Sequence, residues 1–154
     1  MRILVLSDSH GDVSSLCAAV ERYPEAREIV FLGDGLSDIE QVREWYPDRN
    51  YHLVRGNCDL GAFGTPDEGL LTLGGAKILF THGHLYGVKG GTDRLLAHAL
   101  ERGADAAHYG HTHVAKEDYE CDVHLFCPGS IGRGCFGAVD VEPSGIMTTV
   151  LHLY

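Results

Sequence analysis

Two uninterrupted apolar runs, at residues 3–6 and 29–32, constrain this chain more than any other feature. A strand that is apolar at every position has both faces covered, as central strands of largely parallel sheets do. Between the runs, Val13, Leu16, Cys17 and Val20 recur at i, i+3, i+4 and i+7, the apolar stripe of a helix, and Asp12 is placed to cap it. The segment therefore reads as a βαβ unit. The alternation continues with a helix at 36–46 and a third strand at 51–54.

Beyond that point the pattern changes. Residues 70–73 and 78–80 flank Gly74-Gly75, and two glycines supply the positive φ angles of a tight hairpin turn. Thr92 is placed to cap a helix with Leu95, Leu96 and Ala99 on one face, and 104–109 is a short strand candidate. From Val114 onward the chain reads as antiparallel strands with one wet face, as in Val139-Asp140-Val141-Glu142, with Pro143-Ser144-Gly145 as a turn before a strand at 146–153. No linker, repeat or low-complexity stretch divides the 154 residues, a length expected of one domain. The expectation is an α/β domain over 1–154, two sheets packed together with helices outside.

Composition narrows the function. The formal net charge of −10 repels a polyanion, which disfavours general nucleic-acid binding unless bound cations reverse the local potential. No apolar run approaches the roughly 18 residues of a membrane span, and the first apolar run reaches Asp8 too soon for a signal peptide, so a cytoplasmic protein is expected. Cys17, Cys58, Cys121, Cys127 and Cys135 are odd in number and lack a CxxC spacing, which argues for reduced thiols and against a thiolate zinc site.

Where the polar residues fall is more telling. Asp8, His10, Asp34, Asn57, His82, His111 and His113 each lie just beyond a predicted strand. In α/β sheets the crevice outside the carboxyl ends of the strands gathers residues that are distant in sequence. Carboxylate, imidazole and amide oxygen without thiolate suit a borderline-hard dication, with Mn²⁺ expected and Ni²⁺, Fe²⁺, Co²⁺ or Zn²⁺ as the other candidates. Seven donors exceed the needs of one tetrahedral ion but suit two ions sharing a carboxylate.

The ordered strings Asp8-Ser9-His10, Gly33-Asp34, Gly56-Asn57-Cys58-Asp59, His82-Gly83-His84 and Gly110-His111-Thr112-His113 resemble the motif series of calcineurin-like metallophosphoesterases, in particular their small YfcE-like branch. The resemblance implies a four-layer αββα sandwich of two mixed β-sheets flanked by helices. It also implies one metal held by Asp8, His10, Asp34 and His113 and a second held by Asp34, Asn57, His82 and His111, with a metal-bridging hydroxide attacking phosphorus in line. The implied activity is hydrolysis of a small phosphoester, a phosphodiester first, in a chain that does not bind membranes and whose self-association is left open. Many relatives carry a histidine after the asparagine where this chain has Cys58, and a neutral thiol is a poor proton donor to a leaving oxygen.

Other residues have competing readings. His84 is either a partner of the ligands or a donor to phosphate, against an exposed polar residue. Asp59 either orients the site or closes a turn. Arg133 and Cys58 are candidate substrate contacts, against a solvated loop arginine and a packed thiol. Asp8 and Asp34 as helix caps would leave the matching histidines unexplained, whereas Asp12 and Asp38 read as caps or solvated residues. His52, His98, His108, His124 and His152 are assigned to strand or helix surfaces. The competing function is a non-catalytic protein-interaction scaffold like the retromer subunit of this fold, which the full donor set disfavours. A nuclease would need a basic track that the chain lacks.

Overall fold

A computed structural model describes residues 1–154. The chain runs β1 (Arg2–Leu6), α1 (Val13–Arg22), β2 (Glu28–Phe31), α2 (Leu36–Trp45), β3 (Asn50–Leu53), β4 (Glu68–Leu73), β5 (Ala76–Thr81), α3 (Asp93–Glu101), β6 (Ala106–His108), β7 (Lys116–Glu120), β8 (Val123–Cys127), β9 (Cys135–Glu142) and β10 (Gly145–His152). The strands form two five-stranded sheets, ordered β10-β9-β1-β2-β3 and β4-β5-β6-β8-β7. Strands β1, β2 and β3 are parallel to one another, as are β5, β6 and β8, and antiparallel strands complete each sheet.

The pleat sorts side chains into three apolar layers. Leu4, Leu6, Ile29 and Phe31 pack against α1 and α2 through Leu16, Val20, Ile39 and Val42. Their neighbours Ile3, Val5, Val30 and Leu32 face the other sheet and meet Ile78, Phe80, Ala106 and Phe126. On the far side, Leu79, Ala107 and Leu125 pack against Leu95 and Ala99 of α3. Burial of both faces explains the uninterrupted apolar runs. The architecture is the expected αββα sandwich.

Three local expectations are corrected. Strand β9 is buried almost throughout because it lies between β1 and β10, so only edge strand β10 alternates as expected. Thr92 occupies the N-cap of α3, but its side chain makes no capping bond. Asp12 does cap α1, accepting from the Ser15 amide at 2.9 Å. His108 is fully buried, not on a surface, because its partners in register are Phe80 and Phe126 on the face between the sheets.

Candidate metal centre

All the parallel strands present their carboxyl ends at one edge of the sandwich. Strand β1 leads into Asp8 and His10, β2 into Asp34, β3 into Asn57, β5 into His82 and His84, and β6 into His111 and His113. Residues scattered over more than 100 positions thus meet because each follows a strand that starts from the opposite end.

The backbone there is unusual. Seven non-glycine residues have positive φ, and five are Asp8 (57°), His10 (44°), Asp34 (60°), His111 (72°) and His113 (63°). The other two, Cys121 and Asp122, form the β7–β8 turn. Left-handed backbone costs an L-residue on the order of 1 kcal/mol and persists where the surroundings over-determine it, as at functional sites. Here the chain reverses sharply after β1, β2 and β6, and the side chains that follow meet at a common centre.

Those surroundings are visible in the hydrogen bonds. The Asp8 amide donates to the Gly33 carbonyl at 3.0 Å, and the His10 amide to the Asp34 carbonyl at 3.1 Å. Ser130 Oγ donates to the Asp8 carbonyl at 2.8 Å. Asp59 accepts four backbone amides, from Asp34 (2.7 Å), Gly35 (2.9 Å), Leu36 (3.0 Å) and Gly56 (2.7 Å), tying the β2 and β3 loops to the start of α2. Both carboxylate oxygens of Asp59 are thus engaged by backbone amides. Gly56 has no substitute, since a Cβ there would collide with Asp34 Oδ1.

Sequence reasoning missed Asp38. It is neither a cap nor solvated: its Oδ2 is buried and accepts from Ser9 Oγ at 2.7 Å and from the Gly11 amide at 2.8 Å, holding the loop that carries His10. No local signal marks it, because an aspartate in the first turn of a helix already has an ordinary explanation.

Two triads of donors result. The donor atoms of Asp8, His10 and His113 lie within 4.8 Å of one another, as do those of Asp34, His82 and His111. His10 Nε2 and His113 Nε2 are 3.3 Å apart, and His82 Nε2 and His111 Nδ1 are 3.2 Å apart. Asp34 Oδ2 faces both groups, 3.8 Å from His10 Nε2 and 3.2 Å from His82 Nε2, while Asp34 Oδ1 accepts the Cys58 amide at 2.8 Å. The donor set fits divalent ions. His82 Nδ1 lies 2.7 Å from the Leu32 carbonyl, so that nitrogen carries the proton and Nε2 offers its lone pair to the centre.

Electrostatics agree. Burial pushes the Asp34 carboxyl up, but hydrogen bonds from His82 and Cys58 outweigh it and hold the group below the usual carboxylate range. Burial pushes His82 down, yet Asp34 and Asp8 raise it overall. Without an ion the pocket stabilises a proton on His82, and a dication in the same place would displace that proton. His84 and His111 are both lowered, first by burial and then by His82.

The remaining candidates flank this centre. Asn57 is exposed, with its amide nitrogen 3.5 Å from Cys58 Sγ. The Cys58 sulfur is near enough to His10 and Asp34 donors to form a third metal-competent group, so the donor set is not free of thiol as its residue types suggested. His84 stacks obliquely on His82 with ring centroids 5.4 Å apart, and its Nδ1 is buried without a partner. Arg133 is exposed and lines a wholly polar cavity of about 280 Å³ with Asp8, His10 and His113.

A model of the calcineurin-like phosphoesterase superfamily domain matches residues 1–148. The chain belongs to that superfamily. It is 39% identical over 132 residues to the probable metallophosphoesterase YsnB of Bacillus subtilis strain 168, covering 85% of this chain and 75% of the relative. The crystal structure of a predicted phosphoesterase from Streptococcus pneumoniae TIGR4 superposes with a TM-score of 0.86 at 29% identity, over 99% of this chain and 89% of that one. Vps29 of Chaetomium thermophilum shares the fold, with a TM-score of 0.79 at 20% identity over 98% and 95% of the two chains. Calcineurin-like phosphoesterases are metal-dependent hydrolases of phosphoesters, and the two triads lie where this fold gathers its strand ends.

Proposed function

We propose that this calcineurin-like phosphoesterase holds two divalent transition-metal ions and hydrolyses a small phosphodiester. The observation that carries the reading is Asp34 Oδ2, which faces donors of both triads at once. Asp8, His10, Asp34 and His113 would hold one ion, and Asp34, Asn57, His82 and His111 the other. When bound, such ions generate a strong nucleophile from water at neutral pH and stabilise charge on phosphoryl oxygens.

The chain's own residues do the rest. Asp38 and Asp59 fix the loops that carry the ligands. The uncharged His84 imidazole, beside His82 and His111, is placed to donate a hydrogen bond to a phosphoryl oxygen. Arg133 supplies positive charge to an otherwise acidic protein. A diester is favoured over a monoester because two separate cavities adjoin the donors, the polar one beside His10 and His113 and another, with no wall residue in common, beside Asn57 and His84, leaving room for two substituents on a phosphate.

Retention of the whole donor set favours the enzyme over a scaffold, since a scaffold needs the surface but not the ligands. All five cysteines are free thiols, which suits a reducing compartment, and we place the protein in the cytoplasm as one domain over 1–154. No helix is long and apolar enough to cross a membrane.

The test is metal removal and return. Chelation should abolish hydrolysis of bis-aryl phosphates, and Mn²⁺ should restore it better than Ca²⁺, which prefers an all-oxygen shell. Hydrolysis that persists in protein shown by elemental analysis to be metal-free would sink the reading.

A further inference from the structure

The cavity beside Asn57 and His84 differs in character from its polar counterpart. It has a volume of about 390 Å³, and its walls include Arg55, Leu60, Phe63 and Leu85. Leu60 is 91% exposed, Phe63 87% and Leu85 50%. Three large apolar side chains left to water around one groove, itself continuous with the phosphoester site, call for an occupant.

The loop that presents two of them is built, not loose. Its ends are joined by the Arg55 amide donating to the Pro66 carbonyl at 3.0 Å and by Arg55 Nε to Asp67 Oδ1 at 2.7 Å. Inside it the Asp59, Ala62 and Thr65 amides bond the carbonyls three residues back, at 3.2, 3.4 and 3.2 Å. The Arg55 guanidinium carbon lies 6.0 Å from the Phe63 ring centroid, so a flat cation and a flat aromatic ring stand together on one wall. The third apolar residue, Leu85, comes from a different element, the turn after His84.

We infer that this groove is a subsite for a flat aromatic ring carried on one arm of the phosphoester, either a simple aryl group or a nucleobase. The inference rests on the phosphodiesterase reading above and names its substrate class. Asn57 and His84 belong both to the groove and to the surroundings of the metal centre, so a group seated in the groove stays within reach of a phosphate held there. A guanidinium beside a phenyl ring favours stacking of another ring over packing of an alkyl chain, which gains only contact area. The other cavity has no apolar wall, so the second arm of the diester is polar.

The test is calorimetric titration of the Mn²⁺-loaded full chain with phenylphosphonate against methylphosphonate, and with adenosine 5′-monophosphate against ribose 5-phosphate. Each aromatic ligand should bind on the order of 10-fold tighter than its ring-free partner. Phe63→Ala should bring both ratios close to one without loss of bound metal, and Phe63→Trp should preserve them. Leu85→Ala, in a different element lining the same groove, should reduce them too and guards against a collapsed loop in the first variant. A larger ratio for the nucleotide assigns a nucleobase and a larger ratio for the phosphonate a simple aryl group, and either supports the subsite. Equal affinities in the native protein, as expected if the apolar rim serves a protein partner, would overturn it, as would ratios indifferent to both alanine variants. A ring preference without hydrolysis of any ester would leave the groove standing while the phosphodiesterase reading fell. Hydrolysis without a ring preference would do the reverse.

Discussion

His82 Nε2 lies 3.2 Å from Asp34 Oδ2 while its Nδ1 is 2.7 Å from the Leu32 carbonyl. One imidazole from the loop after β5 thus ties together two points of the segment after β2, the Leu32 carbonyl and the Asp34 carboxylate, and fixes which of its nitrogens is free.

Asp34→Asn is expected to lose at least one metal and nearly all hydrolysis while the fold survives. Asparagine tolerates the left-handed backbone at φ 60°, so the change removes a charge that faces donors of both triads without adding strain. Elemental analysis, turnover and the thermal midpoint read the three effects separately, and two metals with native turnover would refute the shared-carboxylate centre.

Asp59→Ala should weaken metal affinity by about 10-fold or more and destabilise the fold by about 2–3 kcal/mol, since four amides lose a charged acceptor at once. Metal titration is the deciding measurement. A stability loss with unchanged metal affinity would reduce Asp59 to a fold residue.

Cys58→His should raise kcat/KM on alkyl esters more than on nitrophenyl esters, on the order of 10²-fold where leaving-group protonation limits the rate. The tie from residue 58 to Asp34 runs through the backbone amide, so the substitution leaves it in place. A rate already independent of leaving-group pKa in the native protein would mean that another group, with His84 the nearest candidate, supplies the proton.

His108→Leu should stabilise the protein. Neither ring nitrogen of His108 has a hydrogen-bond partner, and burial, with a smaller push from His124, lowers its pKa from 6.5 to about 4. Between those values the unfolded chain takes up a proton that the folded chain refuses. Stability is therefore whole above the ordinary histidine pKa and falls as pH drops toward 4, by about 3 kcal/mol from this residue. Denaturant titrations from pH 7 to 4 should show a steeper acid loss in the native protein than in the variant, and identical slopes would refute the assignment.

These residues also mark where the sequence could be read and where it could not. Strands β1 and β2 and the donors after them were legible because apolar runs and the residues that follow them are local signals. Asp38 and His108 were not. Asp38 acts on a loop 27 residues earlier, through contacts that no spacing rule encodes. His108 sits in a three-residue strand buried on both faces, where alternation disappears and a polar residue carries no sign of which way it points. Asp59 was legible only as a choice between orienting the site and closing a turn, because the three consecutive amides of residues 34–36 that it accepts converge on it only after folding. The left-handed backbone at five donors left no trace either, since aspartate and histidine look alike in any conformation.

The pairing of β1 with β9 has a consequence for how the protein is made. Arg2 lies opposite Asp140, and the loop bearing Asp8 is pinned by Ser130 and Ile131. While the ribosome has yet to deliver those residues, the first strand has one bare edge and its metal-binding loop has no anchor on that side. Such an edge invites pairing with other chains. A nascent chain paused before residue 130 should therefore hold metal poorly and depend on chaperones, however complete its list of donors already is.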